Sequence, residues 1–318
     1  MIPFPSPTAR GPAGVLLQPE REGQAPASAR AGDARATVIA LVELTKPAVT
    51  RMVLATTWCG AAIVPGPIPS VPRLLWALVG TALVVASANA LNMYLEGDVD
   101  ALMTRTRGRP LPTGRLAPEA ALLFGLGLAV VGVPILHFLV NPVTAFIGAA
   151  ALATYVLVYT PMKRVSSAAV WVGAVPGAVP PLMGWTSVTG GVAPGALAVF
   201  LLLFVWQIPH FHAIAIFRHA EYRRAGLRVL PVAHGLEYTK FSIVCVLILQ
   251  LFVSALPAFA GLGGLPYVAV AATAGALYVA LGLYGLRPSA GPKWARGLFF
   301  ASMPYLLLLL GALVLGTA

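Results

Sequence analysis

The sequence predicts an all-α, polytopic membrane protein, and three observations support this fold class. Hydrophobic residues make up 58% of the 318 residues and charged residues only 10%, whereas soluble domains carry about 25% charged residues. The mean hydropathy is +0.85. The apolar runs have the length of a transmembrane helix, about 20 residues, and they lack the alternating polarity that is typical of transmembrane β-strands.

These apolar runs predict nine membrane-spanning helices. The predicted spans cover residues 48–66, 73–96, 119–139, 142–161, 169–187, 194–216, 240–260, 264–285 and 297–316. The boundary between the third and fourth spans rests on Asn141-Pro142 alone.

Basic residues lie almost entirely on one side of these spans. Of the 21 Lys and Arg residues, all except Arg73 fall in the N-terminal arm or after the second, fourth, sixth and eighth spans. The positive-inside rule places such segments in the cytoplasm. We therefore expect a bacterial inner-membrane protein with a cytoplasmic N-terminus, cytoplasmic basic loops and an external C-terminus. The same distribution argues against nucleic acid as the reason for the net charge of +11.

Two regions are expected along the chain. Residues 1–37 are rich in Pro, Ala, Gly and Arg and lack helical periodicity, which predicts a disordered cytoplasmic tail. This tail has no apolar stretch of the kind that a signal peptide carries. Residues 38–318 are expected to form one transmembrane domain. Cys59 and Cys245 both fall inside predicted spans, which indicates packing residues rather than a disulfide or a metal site.

An acidic cluster follows the second span. Asn92, Glu96 and Asp100 are spaced four residues apart, so they drift by only about 80° and share one helix face. Asp98 points away on a continuous helix and turns toward the others only if the helix frays at Gly97. Carboxylate and amide oxygens suit Mg²⁺, which typically also bridges to substrate phosphates. The alternative is a solvated loop whose acids pair with the arginines that follow them.

Two basic segments accompany these acids. Arg105 and Arg109 follow the acidic cluster in a loop that Pro110 and Pro112 stiffen, and arginine matches phosphate oxygens bidentately. Lys163-Arg164 ends the fourth span. This pair favours a phosphate role, with a topology anchor as the alternative.

A second polar cluster ends the sixth span. Trp206, Gln207 and His210 are polar or amphipathic groups at membrane depth, where such groups normally face a protein interior or a cavity. Arg218 and Glu221 follow at the cytoplasmic mouth. His210 and His212 are only two residues apart and cannot both face one point on a regular helix, so we do not expect a joint metal site. A packing role for either histidine is the alternative.

Six short motifs occur in the order in which the protoheme IX farnesyltransferases (heme O synthases) carry them, and the resemblance to this family covers about residues 41–310. These farnesyltransferases form a branch of the intramembrane aromatic prenyltransferase (UbiA-type) superfamily. The motifs are Leu44-Thr-Lys46-Pro47, Asn92-x-Tyr94-x-Glu96-x-Asp98-x-Asp100, Met103-x-Arg105-Thr106-x-x-Arg109-Pro110-Leu111, Tyr159-Thr160-x-x-Lys163-Arg164, Gly177-Ala-x-Pro-Pro-Leu-x-Gly-Trp185 and Trp206-Gln-x-Pro-His-Phe211, which continues through Tyr222 to Leu230-Pro231.

The resemblance implies a prenyltransferase with nine transmembrane helices around a central cavity. It implies transfer of farnesyl from farnesyl diphosphate to the 2-vinyl group of heme B, with addition of water, giving heme O and diphosphate. It further implies one or two Mg²⁺ ions, the lipid bilayer as surroundings, and a heme A synthase or terminal oxidase as an assembly partner.

The same resemblance assigns roles to the residues. The implied metal ligands are Asn92, Glu96, Asp98, Asp100 and Glu221. The implied diphosphate ligands are Arg105, Arg109, Lys163, Arg164 and Arg218. The implied acceptor residues are Trp206, Gln207, His210, Phe211, Tyr94 and Tyr159, the two tyrosines flanking the farnesyl cation. The implied catalytic set is Asn92, Glu96, Asp100, Lys163 and Arg218.

Two departures from the superfamily pattern affect the metal site. Glu96 stands where the superfamily usually has Asp, which lengthens the side chain by a methylene. The second acidic motif is Phe217-Arg-His-Ala-Glu221, where relatives that act on simple aromatics have Asp at both ends. Glu221 is therefore expected to be the one second-site ligand.

Two other functions remain open at this stage. The acceptor of a UbiA-type enzyme can instead be 4-hydroxybenzoate or a chlorin, although the Trp206-Phe211 segment argues against this. A secondary transporter is the second alternative. Transporters usually place polar sites near the bilayer midplane in repeated halves, whereas these acids cluster at cytoplasmic helix ends.

Overall fold

The computed structural model describes residues 34–66 and 70–317. The disorder expected for residues 1–33 therefore lies outside the described residues and stays a prediction. Residues 34–37 correct the boundary of the predicted tail, because they form the start of the first helix, Ala34–Leu44. This stretch contains alanines, which are strong helix formers, and it leads directly into the apolar residues Val38 and Ile39.

Helices are the only regular secondary structure among the described residues, and one segment is π-helical. In chain order the elements are α1 (Ala34–Leu44), α2 (Pro47–Ala62), α3 (Val71–Leu95), α4 (Gly97–Leu102), α5 (Pro118–Leu139), α6 (Pro142–Ala153), the π-helix (Thr154–Tyr159), α7 (Thr160–Met162), α8 (Ala169–Thr189), α9 (Pro194–Phe217), α10 (His219–Arg224), α11 (Leu230–His234), α12 (Leu236–Val253), α13 (Leu256–Phe259), α14 (Gly264–Tyr284) and α15 (Pro292–Thr317).

Seven helical segments among the described residues are long and apolar enough to cross a membrane, which confirms a polytopic α-helical membrane protein. They are Val71–Leu95, Pro118–Leu139, Pro142–Met162, Pro194–Phe217, Leu236–Phe259, Gly264–Tyr284 and Pro292–Gly316. The first and fifth predicted spans are also helices, α2 and α8. Helix α2 has 16 residues, about 24 Å at 1.5 Å per residue, and α8 contains three prolines. The count of nine spans stays a prediction.

Close contact between α2 and α8 depends on glycine. A Cβ on Gly184 would lie 1.8 Å from the carbonyl oxygen of Thr57, and one on Gly60 would lie 2.0 Å from that of Pro181. Small residues of this kind let membrane helices approach through their backbones. These contacts hold the short α2 against the bundle, and with it the residue that precedes α2, Lys46.

Two irregularities shape the C-terminal ends of α3 and of the fourth span. Helix α3 ends at Leu95, and Glu96 leaves the helical conformation before α4 begins at Gly97. The fourth span becomes a π-helix over Thr154–Tyr159. A π-helix shifts the residues that follow it around the helix axis and is frequent at functional sites. Both irregularities lie directly beside the polar residues described next.

Candidate active site

Asn92, Glu96 and Asp100 are buried at the C-terminal end of α3 and in α4. Their exposed fractions are 2%, 8% and 4%. The Asn92 amide donates to Glu96 Oε2 over 2.8 Å and to Thr160 Oγ1 over 3.2 Å. Thr160 follows the π-helix and in turn donates to the carbonyl oxygen of Tyr155. The predicted shared face of Asn92 and Glu96 is therefore present, and the π-helix supplies the hydroxyl that completes it.

Each polar group of this cluster has a cation as its partner. Lys163 Nζ lies 2.5 Å from Glu96 Oε1, and Arg109 Nη1 lies 2.7 Å from Asp100 Oδ2. Lys46 Nζ lies 3.1 Å from Asn92 Oδ1. Burying carboxylates is expensive unless they are paired and hydrogen-bonded. Three cations from three separate segments meet this requirement. Their positive charges therefore surround the Asn92, Glu96 and Asp100 side chains.

Lys46 is a site residue to which the sequence analysis gave no role. It precedes the Pro47 that starts α2 and has a left-handed backbone with φ 48°. This conformation is uncommon for a residue other than glycine. Burial lowers the pKa of Lys46 to about 7, with further lowering from Arg109 and Lys163 and opposition from Glu96 and Asp100. A lysine directly before a proline-initiated span, in the Leu44-Thr-Lys46-Pro47 motif, was the signal available in the sequence.

Asp98 and Arg164 form a separate, exposed pair. The guanidinium bonds both carboxylate oxygens over 2.7 and 2.8 Å, and it also bonds the Leu95 carbonyl oxygen. The Asp98 side chain is 66% exposed. Its pKa is lowered by the hydrogen bond to Arg164. The helix does break beside Gly97, at Glu96, but the break does not bring Asp98 to Glu96 and Asp100.

Tyr94 belongs with Asp98 rather than with Asn92. It lines a surface recess together with Gly97, Asp98 and Leu111. Two positions along a helix differ by about 200°, which explains why Tyr94 and Asn92 face different surroundings. Next to Tyr159 the structure places Tyr155 instead, with 5.2 Å between ring centroids.

Tyr222 connects the second polar cluster to the first. Burial raises the pKa of its hydroxyl, while Arg105, Lys163 and Arg218 act in the opposite direction. These cations come from three different segments of the chain, so the phenol marks the point where the segments converge. Lys163 also lies over the Tyr159 ring, 4.6 Å from its centroid. Tyr222 is a further residue to which the sequence analysis gave no role.

Glu221 has an oxygen available for a ligand. Its Oε1 accepts from Arg218 over 3.0 Å, whereas its buried Oε2 has no hydrogen-bond partner among the described residues. A buried carboxylate oxygen without a partner fits a hard cation such as Mg²⁺. No three His, Cys, Asp or Glu side chains within residues 34–66 and 70–317 are close enough to form a metal cluster by themselves. Substrate phosphates would therefore have to complete the coordination.

A pocket of about 90 Å³ lies beside this cluster. Its lining includes Tyr159, Lys163, His212, Tyr222 and Arg228. Pockets for drug-sized ligands enclose about 300–1,000 Å³, so this pocket by itself is too small for an isoprenoid or a large aromatic molecule.

Comparison with known proteins decides the family. The model of the UbiA prenyltransferase family matches residues 53–303. The chain belongs to the UbiA prenyltransferase family.

Curated relatives of this UbiA chain carry one name. It is 53% identical over 245 residues to the "Protoheme IX farnesyltransferase" of Sorangium cellulosum, covering 77% of this chain and 87% of the relative. It is 46% identical over 275 residues to the protein of the same name from Anaeromyxobacter dehalogenans, covering 86% and 92%.

Solved structures of UbiA proteins share the fold. A digeranylgeranylglyceryl phosphate synthase superposes with a TM-score of 0.76 at 16% identity, covering 88% of this chain and 98% of the other. A UbiA homolog from Archaeoglobus fulgidus bound to DMAPP and Mg²⁺ superposes with a TM-score of 0.62 at 15% identity, covering 86% and 98%.

Four of the six expected acceptor residues of this UbiA enzyme lie on α9, and most of their polar atoms bond neighbouring helices. Trp206 Nε1 donates to the Ser302 carbonyl oxygen over 2.8 Å. Gln207 Nε2 donates to the carbonyl oxygens of Ala174 and Leu203. His210 bonds the Ser302 hydroxyl, whereas Phe211 lines the pocket beside Lys163. The structure therefore separates Phe211, at the pocket, from three residues held by α8, α9 and α15.

Proposed function

We propose that this chain transfers farnesyl from farnesyl diphosphate to the 2-vinyl group of heme B, adding water and giving heme O and diphosphate. The observation that carries the proposal is the buried ring of Lys46, Arg109 and Lys163 around Asn92, Glu96 and Asp100. The name shared by the relatives at 46–53% identity supports the farnesyl donor and the heme acceptor.

The three cations of the ring would exchange partners when the donor binds. In the structure they neutralise Glu96 and Asp100 and bond Asn92. A diphosphate carries more charge than a carboxylate and offers more acceptor oxygens. Lys46, Arg109 and Lys163 would turn toward it, joined by Arg105 and Arg218 beside Tyr222. Breaking the carbon–oxygen bond increases the charge on the leaving diphosphate, which positioned cations stabilise.

Mg²⁺ fits the oxygens that this exchange frees. Asn92, Glu96 and Asp100 would hold the ion, and Glu221 offers the unpartnered Oε2 for the same ion or a second one. When bound, Mg²⁺ neutralises charge on the diphosphate and orients it. Asp98 and Arg164 are paired at the surface, so we place neither of them in the metal or diphosphate site.

Tyr155 and Tyr159 would face the developing farnesyl cation. Both rings lie at the π-helix, and the Lys163 ammonium over Tyr159 shows that this ring face accepts a cation. The terminal vinyl carbon of heme B then attacks, with Trp206, Gln207, His210 and Phe211 on the acceptor side. The bilayer and the bundle keep the site poor in water until the carbon–carbon bond has formed.

The proposal also covers the membrane location, the orientation and the partner of the protein. We infer an inner-membrane protein with the cytoplasmic loops carrying the site, and an external C-terminus, because the basic residues collect on one side. A heme A synthase or a terminal oxidase is the class of partner that would receive heme O.

The test is product identification. Purified protein is incubated with heme B, farnesyl diphosphate and Mg²⁺, and the porphyrin product is identified by mass. A parallel incubation supplies 4-hydroxybenzoate or a chlorin in place of heme B. Farnesylated, hydrated heme as the sole product supports the proposal. A prenylated 4-hydroxybenzoate or chlorin with unmodified heme would replace the acceptor, and no product with any acceptor would refute prenyl transfer.

A further inference from the structure

We propose that His210 is the general base for the water that completes this reaction, and that Ser302 positions it by selecting its tautomer. The inference rests on the proposed function, since water is consumed only if the acceptor is a vinyl group. It concerns the second half of the reaction, after the diphosphate has left, and uses residues on α9 and α15 rather than the acidic cluster.

The hydrogen bonds of Ser302 determine the protonation of His210. The Ser302 hydroxyl lies 2.6 Å from the Phe299 carbonyl oxygen, to which it donates. It also lies 2.7 Å from His210 Nδ1. A hydroxyl carries a single hydrogen, and the carbonyl oxygen can only accept it. With that hydrogen on the carbonyl oxygen, Ser302 Oγ accepts from Nδ1–H, and the Nε2 lone pair of a neutral imidazole is then free.

The His210 ring is held rigidly in this orientation. Trp206 and Phe299 lie 5.0 and 4.7 Å from it between ring centroids, and Phe211 packs edge-on at 5.4 Å. Trp206 also donates to the Ser302 backbone oxygen, which ties α9 to α15 at this level. The exposed fractions of His210 and Ser302 are 7% and 0%. A base whose geometry is set in advance needs little reorganisation during the reaction.

His212 lacks these properties. It lines the pocket beside Lys163, and no hydrogen bond to its ring occurs among the described residues, so no neighbour selects its tautomer. The pocket has a volume of about 90 Å³, which is enough for water, and its lining includes Phe211, which packs edge-on against His210.

The chemistry balances without any further reactant. The terminal vinyl carbon forms a bond to the farnesyl carbon as the diphosphate oxygen leaves, and the inner vinyl carbon becomes a cation. The oxygen of water bonds to this inner carbon, and Nε2 removes one proton from that water. Without this base, the released diphosphate takes a proton from the adjacent carbon instead. The product is then an alkene that is lighter by one water.

The test compares His210→Ala, Ser302→Ala and Ser302→Thr with the control Ser187→Ala. Ser187 is also buried and donates to the carbonyl oxygen three residues earlier, Gly184, over 2.7 Å, but it contacts no histidine. We expect His210→Ala to release diphosphate yet form mainly the dehydrated alkene, with hydration slowed by about 100-fold or more. Ser302→Ala should also form more of the dehydrated alkene, whereas Ser302→Thr and Ser187→Ala should yield the hydrated heme.

A spectroscopic measurement tests the tautomer without substrates. In protein labelled with ¹⁵N-histidine, the His210 signals, assigned by their loss in His210→Ala, should show a protonated Nδ1 and a bare Nε2. Protonated Nε2 would overturn the role of Ser302. Fully hydrated product at the wild-type rate in His210→Ala would overturn the base, and a heme spectrum altered by His210→Ala would assign Nε2 to the iron instead.

The outcomes separate this inference from the proposed function. Wild-type protein that makes no farnesylated heme refutes both the function and the base. Wild-type protein that makes hydrated product, with His210→Ala doing the same at an equal rate, refutes the base alone.

Discussion

Lys46 Nζ lies 3.1 Å from Asn92 Oδ1 and joins the start of α2 to the last turn of α3. The Asn92 amide donates onward to Glu96, which accepts from Lys163. Lysine, amide, carboxylate and lysine therefore form one continuous polar chain. Both ends of this chain are lysine ammonium groups, which would attract an anionic ligand.

Lys46 should make donor affinity depend on pH. Its pKa in the protein without ligand is about 7, so the ammonium is mostly charged below pH 7 and increasingly neutral above it. A diphosphate binds the charged form and raises this pKa. The affinity that Lys46 contributes is therefore complete below pH 7 and declines as the pH rises above 7, toward the higher pKa of the complex.

The measurement compares Lys46→Met with wild type. We expect the ratio of wild-type to variant affinity for farnesyl diphosphate to fall between pH 6.5 and 9, a window set by the pKa of about 7. Taking the ratio at each pH removes the ionisation of the substrate itself. A ratio that is constant across this range would show that Lys46 does not contact the diphosphate.

Glu221 should affect the metal rather than the fold. Its Oε2 is buried and has no partner among the described residues, so Glu221→Gln removes a charged ligand without removing a structural bond through that atom. We expect the Mg²⁺ concentration for half-maximal activity to rise by roughly 10-fold, as the loss of one charged contact predicts.

Glu237→Gln is the matched control for Glu221. Glu237 also pairs with a cation three residues away, Lys240, but its side chain is 77% exposed. The Mg²⁺ concentration that Glu237→Gln needs for half-maximal activity should equal that of wild type. An unchanged requirement in Glu221→Gln as well would remove Glu221 from the metal site.

Gly184 should be intolerant of a methyl group. An alanine Cβ there would lie 1.8 Å from the Thr57 carbonyl oxygen, so α2 and α8 would have to separate. Overpacking of this kind costs about 1–3 kcal/mol. We expect Gly184→Ala to lower the thermal midpoint in detergent.

Gly127→Ala provides the comparison for Gly184. Gly127 lies in α5, and nothing lies within 4 Å of the added Cβ. Alanine at this position gains helix propensity of up to about 1 kcal/mol. The thermal midpoint of Gly127→Ala should therefore equal or exceed that of wild type. Equal loss in both variants would mean that the α2–α8 contact is not tight.

The sequence was sufficient for the shared face of Asn92 and Glu96 because helical spacing alone determines it. The same spacing indicated that Asp98 points away from Asn92 and Glu96. The helix break beside Gly97 does not reverse this, because Asp98 pairs with Arg164 at the protein surface. Helical spacing also places the Tyr94 side chain on a different face of α3 from Asn92, although the resemblance had assigned Tyr94 to the active site.

The partners of these acids depend on tertiary structure and could not be predicted. Lys163 reaches Glu96 at the end of a span whose last part is π-helical, and no helical periodicity in the sequence announces that change. Lys46 reaches Asn92 through a left-handed backbone. Ser302 meets His210 only because α9 and α15 pack together. Sequence reasoning finds charged residues near a site more readily than it finds their pairs.

We propose that Glu96 and Asp100, and not Asp98, take part in ionising farnesyl diphosphate. The most direct measurement is the rate of diphosphate release from farnesyl diphosphate by purified Glu96→Gln, Asp100→Asn and Asp98→Asn, with heme B and Mg²⁺ present. Monodispersity and thermal midpoint are checked for each variant.

We predict that Glu96→Gln and Asp100→Asn each release diphosphate about 100-fold more slowly or worse, as loss of one transition-state contact implies. Asp98→Asn, which loses only an exposed pair with Arg164, should stay within about 3-fold of wild type, since surface ion pairs contribute about 0–1 kcal/mol. Wild-type rates in Glu96→Gln and Asp100→Asn, or an equal loss in all three variants, would contradict the account.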